Sequence, residues 1–313
     1  MEKYVILADS CMDLDKAQRE EYGIENQVRG TIIYPNGEEQ TADLDWEKIS
    51  FEEFFHMLEN KKNHFRSSLP NQFSIIERYE EYLKKGQDIL VVTLSGAMSG
   101  TYSSFTTAKN EIIDKYPGRQ ILIVDSRKYS AGINLICLLA SENRAKGMSI
   151  EENFKDLEER KTHIHQIGIL DDLFFLYRSG RISKAKAFFG NLAGVKPMAD
   201  FSIESGMPCT LGNARGYKAA YKAIEKYLKH FIGSTKGKTL IVTHSIRQAQ
   251  ADAIYEIAKR IAPDAKVIRC RMNQSNGVNV GPGLAACWFV SDDRVSPNCE
   301  VERKVMADIL ANK

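Results

Sequence analysis

No stretch of this sequence approaches the roughly 18–20 consecutive apolar residues that cross a bilayer. Its start, MEKYVILADSCMDLD, also lacks the basic residues, apolar core and small-residue cleavage site of a signal peptide. A cytoplasmic location is expected. An excess of one charge is missing as well: 43 Lys and Arg against 41 Asp and Glu leave a formal net charge of +2, with bases interleaved among acids in runs such as KKNHFR and EERK. A nucleic-acid partner, which calls for a basic, aromatic-studded patch, is not expected. The six cysteines (Cys11, Cys137, Cys209, Cys270, Cys287 and Cys299) form no CxxC pair, which argues against a zinc site or a disulfide framework and predicts free thiols. Nucleotide signatures are absent too, since the turn from Ser95 to Thr101 lacks a Gly-Lys-Ser/Thr ending and GxGxxG occurs nowhere. No Ser-His-Asp order or paired acid arrangement stands out. His163 and His165 alternate on a strand face without a third ligand at metal-binding spacing, so no metal and no cofactor are expected.

What the sequence does have is small hydroxyl residues at the ends of apolar runs. YVILADS (4–10), DILVVTLSG (88–96) and ILIVDSR (121–127) are β-branched stretches that stop at Asp, Ser or Gly and lead into amphipathic segments. That alternation predicts a parallel sheet with helices at 50–60, 71–85, 100–116 and 130–146. Beyond residue 160 the texture changes. A strand THIHQIGIL, a helical stretch broken at Ser179-Gly180, two strands around Glu204-Ser205-Gly206, helices at 215–232 and 246–261 and further strands give a mixed pattern. At 313 residues two domains are expected: an N-terminal doubly wound α/β domain over 1–160 and a C-terminal mixed α/β (α+β) domain over 161–313, with the ligand between them.

Strand ends of such a sheet lie along one crevice, where helix N–H groups and hydroxyls hold small anions. The turn Ser95-Gly96-Ala97-Met98-Ser99-Gly100-Thr101 suits a carboxylate through backbone N–H and serine O–H groups, although its serines serve equally well as turn caps. Arg66-Ser67-Ser68-Leu69-Pro70 precedes an amphipathic helix and offers one hydroxyl more than a cap needs. Gly277-Val278-Asn279-Val280-Gly281-Pro282-Gly283 reads as a tight turn before the last strand. Arg181 and Arg215 stand at chain breaks, in Arg178-Ser179-Gly180-Arg181 and Asn213-Ala214-Arg215, where a guanidinium fork can take a carboxylate or phosphate, or simply be solvated. Asp9, Asp13 and Asp125 at strand ends leave a metal-assisted phosphotransferase or hydrolase, acting with the Ser95 loop, as an alternative.

These pieces together resemble the DegV family of bacterial lipid-binding proteins, whose members include the fatty-acid-binding subunits of fatty acid kinase. The resemblance rests on Asp9-Ser10-Cys11-Met12-Asp13, Arg66-Ser67-Ser68-Leu69-Pro70, Leu94-Ser95-Gly96 through Tyr102, Val124-Asp125-Ser126, Ser179-Gly180-Arg181-Ile182-Ser183, Val195-Lys196-Pro197 and Gly281-Pro282-Gly283, in that order across nearly the whole chain. It implies a long-chain fatty acid buried between two α/β domains and no chemistry in the chain itself. Its carboxylate would be held by Ser67, Ser68, Ser95, Gly96 and Asn279, with Arg181 and Arg215 facing a separate ATP-dependent kinase that makes the acyl phosphate. Transient contact with a membrane fits the same picture, as does a lipid carrier or sensor without phosphorylation. One departure is visible: where the family often reads Thr-His-x-Gly-Pro-Gly, this chain has Val278-Asn279, and an asparagine hydrogen-bonds a carboxylate without carrying a proton.

Overall fold

The computed structural model describes residues 4–25, 27–183 and 194–311. β1 (Tyr4–Ala8), β5 (Asp88–Thr93) and β6 (Ile121–Asp125) form a parallel sheet in which Ala8, Val92 and Val124 share a register. Their carboxyl ends therefore bring Asp9-Ser10, Leu94-Ser95 and Asp125-Ser126 to one edge. Between β1 and β5 the chain forms a short helix α1 (Lys16–Glu21), a small antiparallel sheet of β2 (Thr31–Ile33), β3 (Glu39–Thr41) and β4 (Arg66–Ser68), and the helices α2 (Phe51–Glu59) and α3 (Gln72–Leu83). Ser50 caps α2 by accepting from the Glu53 N–H, as its spacing predicts. Asn71, not Ser68 or Leu69, caps α3, so Ser67 and Ser68 are strand residues paired to β2.

The apolar faces of α3 and of α4 (Thr101–Ile112) cover one side of the parallel sheet through Ile75, Tyr79 and Phe105. α5 (Ala131–Ala145) covers the other. Residues 131–140 are buried on every face because α5 packs on β1 and β5 and also on the second sheet. A helix that is apolar all round needs partners all round, and α5 is the shared core of the two lobes.

After α6 (Ile150–Arg160) comes the second sheet, in the order β11-β10-β12-β7, with β7 spanning Ile164–Ile169, β10 Thr239–His244, β11 Lys266–Arg271 and β12 Ala285–Val290. β10 and β11 run parallel; β12 runs antiparallel to both β10 and β7. α7 (Phe174–Arg178) follows β7. The expected helical continuation beyond Ser183 lies outside the described residues. β8 (Val195–Phe201) and β9 (Pro208–Arg215) form a hairpin, and α8 (Gly216–Phe231), α9 (Gln248–Ile261) and the terminal α11 (Glu300–Ala311) complete this lobe. Of the stretch read as a tight turn, 281–283 turn as expected before β12, whereas 277–280 belong to a helix: α10 (Gln274–Val280) is capped by Asn273 and buried along nearly its whole length. Gly277 is required there, because a Cβ at this position would sit 2.7 Å from Phe55 Cζ. Among the described residues no helix is long and apolar enough to cross a membrane.

The lobes are clasped by polar contacts as well as by α5. Ser95 Oγ donates to the Gly206 carbonyl (2.7 Å), the Arg127 guanidinium reaches the carbonyls of Ile203 and Glu204, and the fully buried Lys128 ammonium reaches the Phe201 carbonyl and Asp200. All of these seat the β8–β9 hairpin on the strand-end loops of the first sheet.

Candidate functional site

At the carboxyl edge of the first sheet lies a cavity of about 360 Å³ whose walls come from several separate parts of the chain. Ser10 and Cys11 follow β1, Ser67 and Ser68 end β4, Ser99, Gly100 and Thr101 open α4, and Ser275, Asn276 and Asn279 line it from α10; Arg181, just beyond α7, completes it.

The hydrogen bonds fix what each group offers. Asn279 Nδ2 donates to Ser67 Oγ and to the Ser275 carbonyl, both at 2.9 Å. Both amide hydrogens are thus engaged, and Ser67, having accepted, keeps its own O–H hydrogen for a ligand. Ser99 Oγ accepts from the Thr101 N–H and lies 2.8 Å from Thr101 Oγ1. Gly100 gives α4 no side-chain cap, which leaves the next N–H groups and the positive dipole end of its first turn beside these hydroxyls. The resulting cluster consists of hydroxyl donors, helix N–H groups and one guanidinium, a set that suits a carboxylate or phosphate.

Of the expected site residues, Ser67, Ser68 and Asn279 meet in this cavity together with Arg181. Ser95 and Gly96 lie outside its lining. Ser95 is fully buried and spends its hydroxyl on the Gly206 carbonyl, and the Gly96 N–H donates to Asp125 Oδ1. Within the turn, Met98 and Ser99 both donate backbone N–H groups to the Ser95 carbonyl, and this tight bend turns Ser99 rather than Ser95 to the cavity. Arg215 is exposed where β9 meets α8, and it lines neither this cavity nor its neighbours. Ser10, Ser99 and Ser275 are site residues that sequence reasoning passed over; Ser99 stood beside Ser95 in the same motif, with nothing in the sequence to separate the two.

Two further cavities adjoin this one. A basic cavity of about 370 Å³ shares Ser67, Arg181 and Asn279 and adds His64, Arg66 and Arg178. Arg178 packs its guanidinium over the Phe174 and Phe175 rings and donates to the Asn63 carbonyl, and burial pulls its pKa below the usual arginine value. On the inner side, a cavity of about 60 Å³ shares Met98, Tyr129, Leu176 and Val280 with the hydroxyl cavity and is otherwise walled mainly by apolar residues of β7, α7 and β8.

The strand-end acids serve the scaffold. Asp9 accepts the N–H groups of Cys11 (2.8 Å) and Leu94 (2.6 Å), tying the ends of β1 and β5 together. Asp13 accepts from the Ser130 hydroxyl, the Asn273 N–H and Asn276 Nδ2, anchoring α10 to the first lobe. Burial raises the pKa of each to about 6 against these hydrogen bonds. Asp125 Oδ1 accepts the N–H groups of Gly96 and Arg127. Among the described residues no three His, Cys, Asp or Glu side chains are grouped to hold a metal. His165 is fully buried between Phe231 and Phe289 rather than half exposed, and burial holds its pKa at about 4.

This arrangement has relatives. A DegV domain-containing protein of Clostridium perfringens is 30% identical over 294 residues, covering 94% of this chain and 99% of the relative. Among solved structures, a DegV family protein from Thermus thermophilus, described for its fatty acid binding, superimposes with a TM-score of 0.81 at 25% identity, covering 92% of this chain and 99% of that one. The fatty acid kinase B3 protein of Streptococcus pneumoniae, solved with linoleic acid, shares the fold with a TM-score of 0.79 at 18% identity, covering 93% of this chain and 100% of that one. The model of the DegV family, described as uncharacterised proteins, matches residues 3–292, so sequence and fold agree over almost the whole length, and this chain belongs to the DegV family.

Proposed function

We propose that this protein binds a long-chain fatty acid and presents its carboxylate to a separate ATP-dependent kinase for conversion to an acyl phosphate. The observation that carries this reading is the junction at Met98, Tyr129, Leu176 and Val280, where a hydroxyl-lined cavity open to a basic surface runs into an apolar one. A polar head and a hydrocarbon tail match that pair. The Thermus and Streptococcus proteins, one described for fatty acid binding and the other solved with linoleic acid, support the ligand class, and the fatty acid kinase name of the second supports the partner.

In this reading Ser67 and Ser99 donate their hydroxyl hydrogens to the carboxylate, the open first turn of α4 adds N–H groups, Asn279 orients Ser67, and Ser68 and Arg181 border the entrance. Ser95 and Gly96 act one layer away by fixing the turn that carries Ser99. A tail of about 16 carbons gains roughly 12 kcal/mol gross from burial, enough to part the narrow apolar arm and still leave tight binding after the costs of association. Arg66, Arg178 and Arg181 supply positive charge where a transferred phosphoryl group arrives, and exposed Arg215 serves the kinase contact.

Native mass spectrometry of the purified protein, with lipid identification after denaturing extraction, is the direct test. A stoichiometric long-chain fatty acid is expected; a protein that stays empty after incubation with a range of fatty acids overturns the reading. For the kinase step, Arg215→Ala is expected to leave fatty acid affinity unchanged and to lower acyl phosphate formation about tenfold or more, the loss of one charged contact. Arg181→Ala, at a residue that reaches both the head-group and the basic cavity, is expected to lower both. Equal turnover by Arg215→Ala and wild type removes that residue from the partner surface.

A further inference from the structure

The apolar arm contains a polar group that a plain hydrocarbon cannot serve. Apart from Tyr129, Thr210 and Gln166, its lining is apolar. Gln166, on β7, is only 4% exposed; its amide N–H side faces the Tyr129 hydroxyl, while among the described residues no donor reaches its Oε1. Directly opposite it on β12 stands Trp288, whose side chain emerges from the same face of the sheet and whose indole N–H is likewise buried without an acceptor among the described residues. Tyr129 packs edge-on against Trp288, 5.9 Å between ring centroids, and lines both the hydroxyl cavity and the apolar arm.

An unpaired amide oxygen and an unpaired indole N–H are each costly to bury. The indole on the sheet face is a donor without an acceptor, and the amide in the arm is an acceptor without a donor. A ligand hydroxyl in the arm supplies the donor that Gln166 Oε1 lacks. It also serves the glutamine in either orientation of the amide, because it can accept as well as donate.

Resting on the reading of the arm as an acyl-chain site, we propose that Gln166 makes it selective for a fatty acid carrying a hydroxyl partway along its chain. The hydroxyl hydrogen bonds Gln166 Oε1, and the hydroxyl oxygen takes a hydrogen from the Tyr129 hydroxyl, which lines the arm beside it. Sites built around such a bond discriminate strongly against ligands that lack the group, because the buried protein atom is otherwise left unpaired.

The test is a titration of the delipidated full-length protein with stearic acid and with a series of octadecanoic acids hydroxylated at successive mid-chain carbons. One position of the hydroxyl is expected to bind about tenfold or more tightly than stearic acid. Gln166→Leu is expected to erase that preference while binding stearic acid at least as well as wild type. If stearic acid binds and no hydroxylated isomer exceeds it, the selectivity is overturned and the fatty acid reading stands. If Gln166→Leu keeps the preference, Gln166 is not its source. If neither stearic acid nor any isomer binds, the fatty acid reading itself falls, and this inference with it.

Discussion

Asn279→Asp is expected to weaken long-chain fatty acid binding on the order of several thousandfold at neutral pH, with the fold unchanged. The substitution is nearly isosteric, so packing of α10 against Phe54 and Phe55 is preserved. Its effect is electronic. In the native site the Asn279 amide donates to Ser67 Oγ at 2.9 Å, which leaves the Ser67 hydrogen free for the ligand. A carboxylate cannot donate; it accepts that hydrogen instead, so the site loses a donor and gains a negative charge beside the one it must bind. At about 4 Å and an effective dielectric near 20, two like charges repel by roughly 4 kcal/mol, and a lost hydrogen bond adds about 1 kcal/mol. Acidification that protonates the introduced carboxyl is expected to restore part of the affinity, which separates charge from misfolding. Isothermal titration with a monomeric long-chain fatty acid reads the effect, and an affinity within a few-fold of wild type places the carboxylate elsewhere.

The parallel sheet, the helices α2 to α5 and the hairpin of the second lobe were legible because each is written in apolar periodicity: YVILA, DILVVT and ILIVD are buried strands, and the helices are amphipathic or, in α5, largely apolar over 131–140. Elements without that signature were not legible. Arg66-Ser67-Ser68 is a strand only because β2 supplies its hydrogen bonds; its side chains are small, charged or exposed. Gln274–Val280 has the asparagine and glycine content of a turn, yet it is a helix because Asn273 caps it and because glycine lets it approach Phe55. α1, α6 and α11 were not foreseen either, although Asp15 and Ser149 both close capping boxes, with Gln18 and Glu152 as partners, that were there to be read. The site divides the same way. Hydroxyls at strand ends pointed to the edge where the hydroxyl-lined cavity lies, but which serine of the turn from Ser95 to Thr101 faces inward is decided by the local bend at the Ser95 carbonyl. The unpaired Gln166 had one sequence signal: a lone amide in IHQIGI, a strand whose neighbours are otherwise mostly aliphatic.

The acids that tie the crevice together predict an unusual acid response. Asp9 and Asp13 have folded pKa values of about 6 against 3.8 when unperturbed. A carboxyl raised on folding holds its proton more tightly in the native state, so its contribution to stability is full below pH 3.8 and is lost as pH rises through 6. His165 and His244 run the other way. Burial lowers both to about 4 from 6.5, so their contribution is full above pH 6.5 and is lost as pH falls through 4. On going from pH 7 to pH 4, each carboxyl gains about 2–3 kcal/mol and each histidine loses about 3 kcal/mol. The two pairs nearly cancel, and wild-type stability is expected to carry little net slope from these four groups. Asp9→Asn removes one side of the balance. Relative to wild type, its urea midpoint is expected to fall progressively below pH 6, reaching an additional loss of about 2–3 kcal/mol at pH 4; parallel curves for the two proteins would falsify the burial of an acid at position 9 as a titrating group. Asp9 and Asp13 bracket Ser10 and Cys11, which line the hydroxyl cavity. On the proposed reading their charge at pH 7 opposes a bound carboxylate, against which the hydroxyls of Ser67 and Ser99 and the Arg181 guanidinium act.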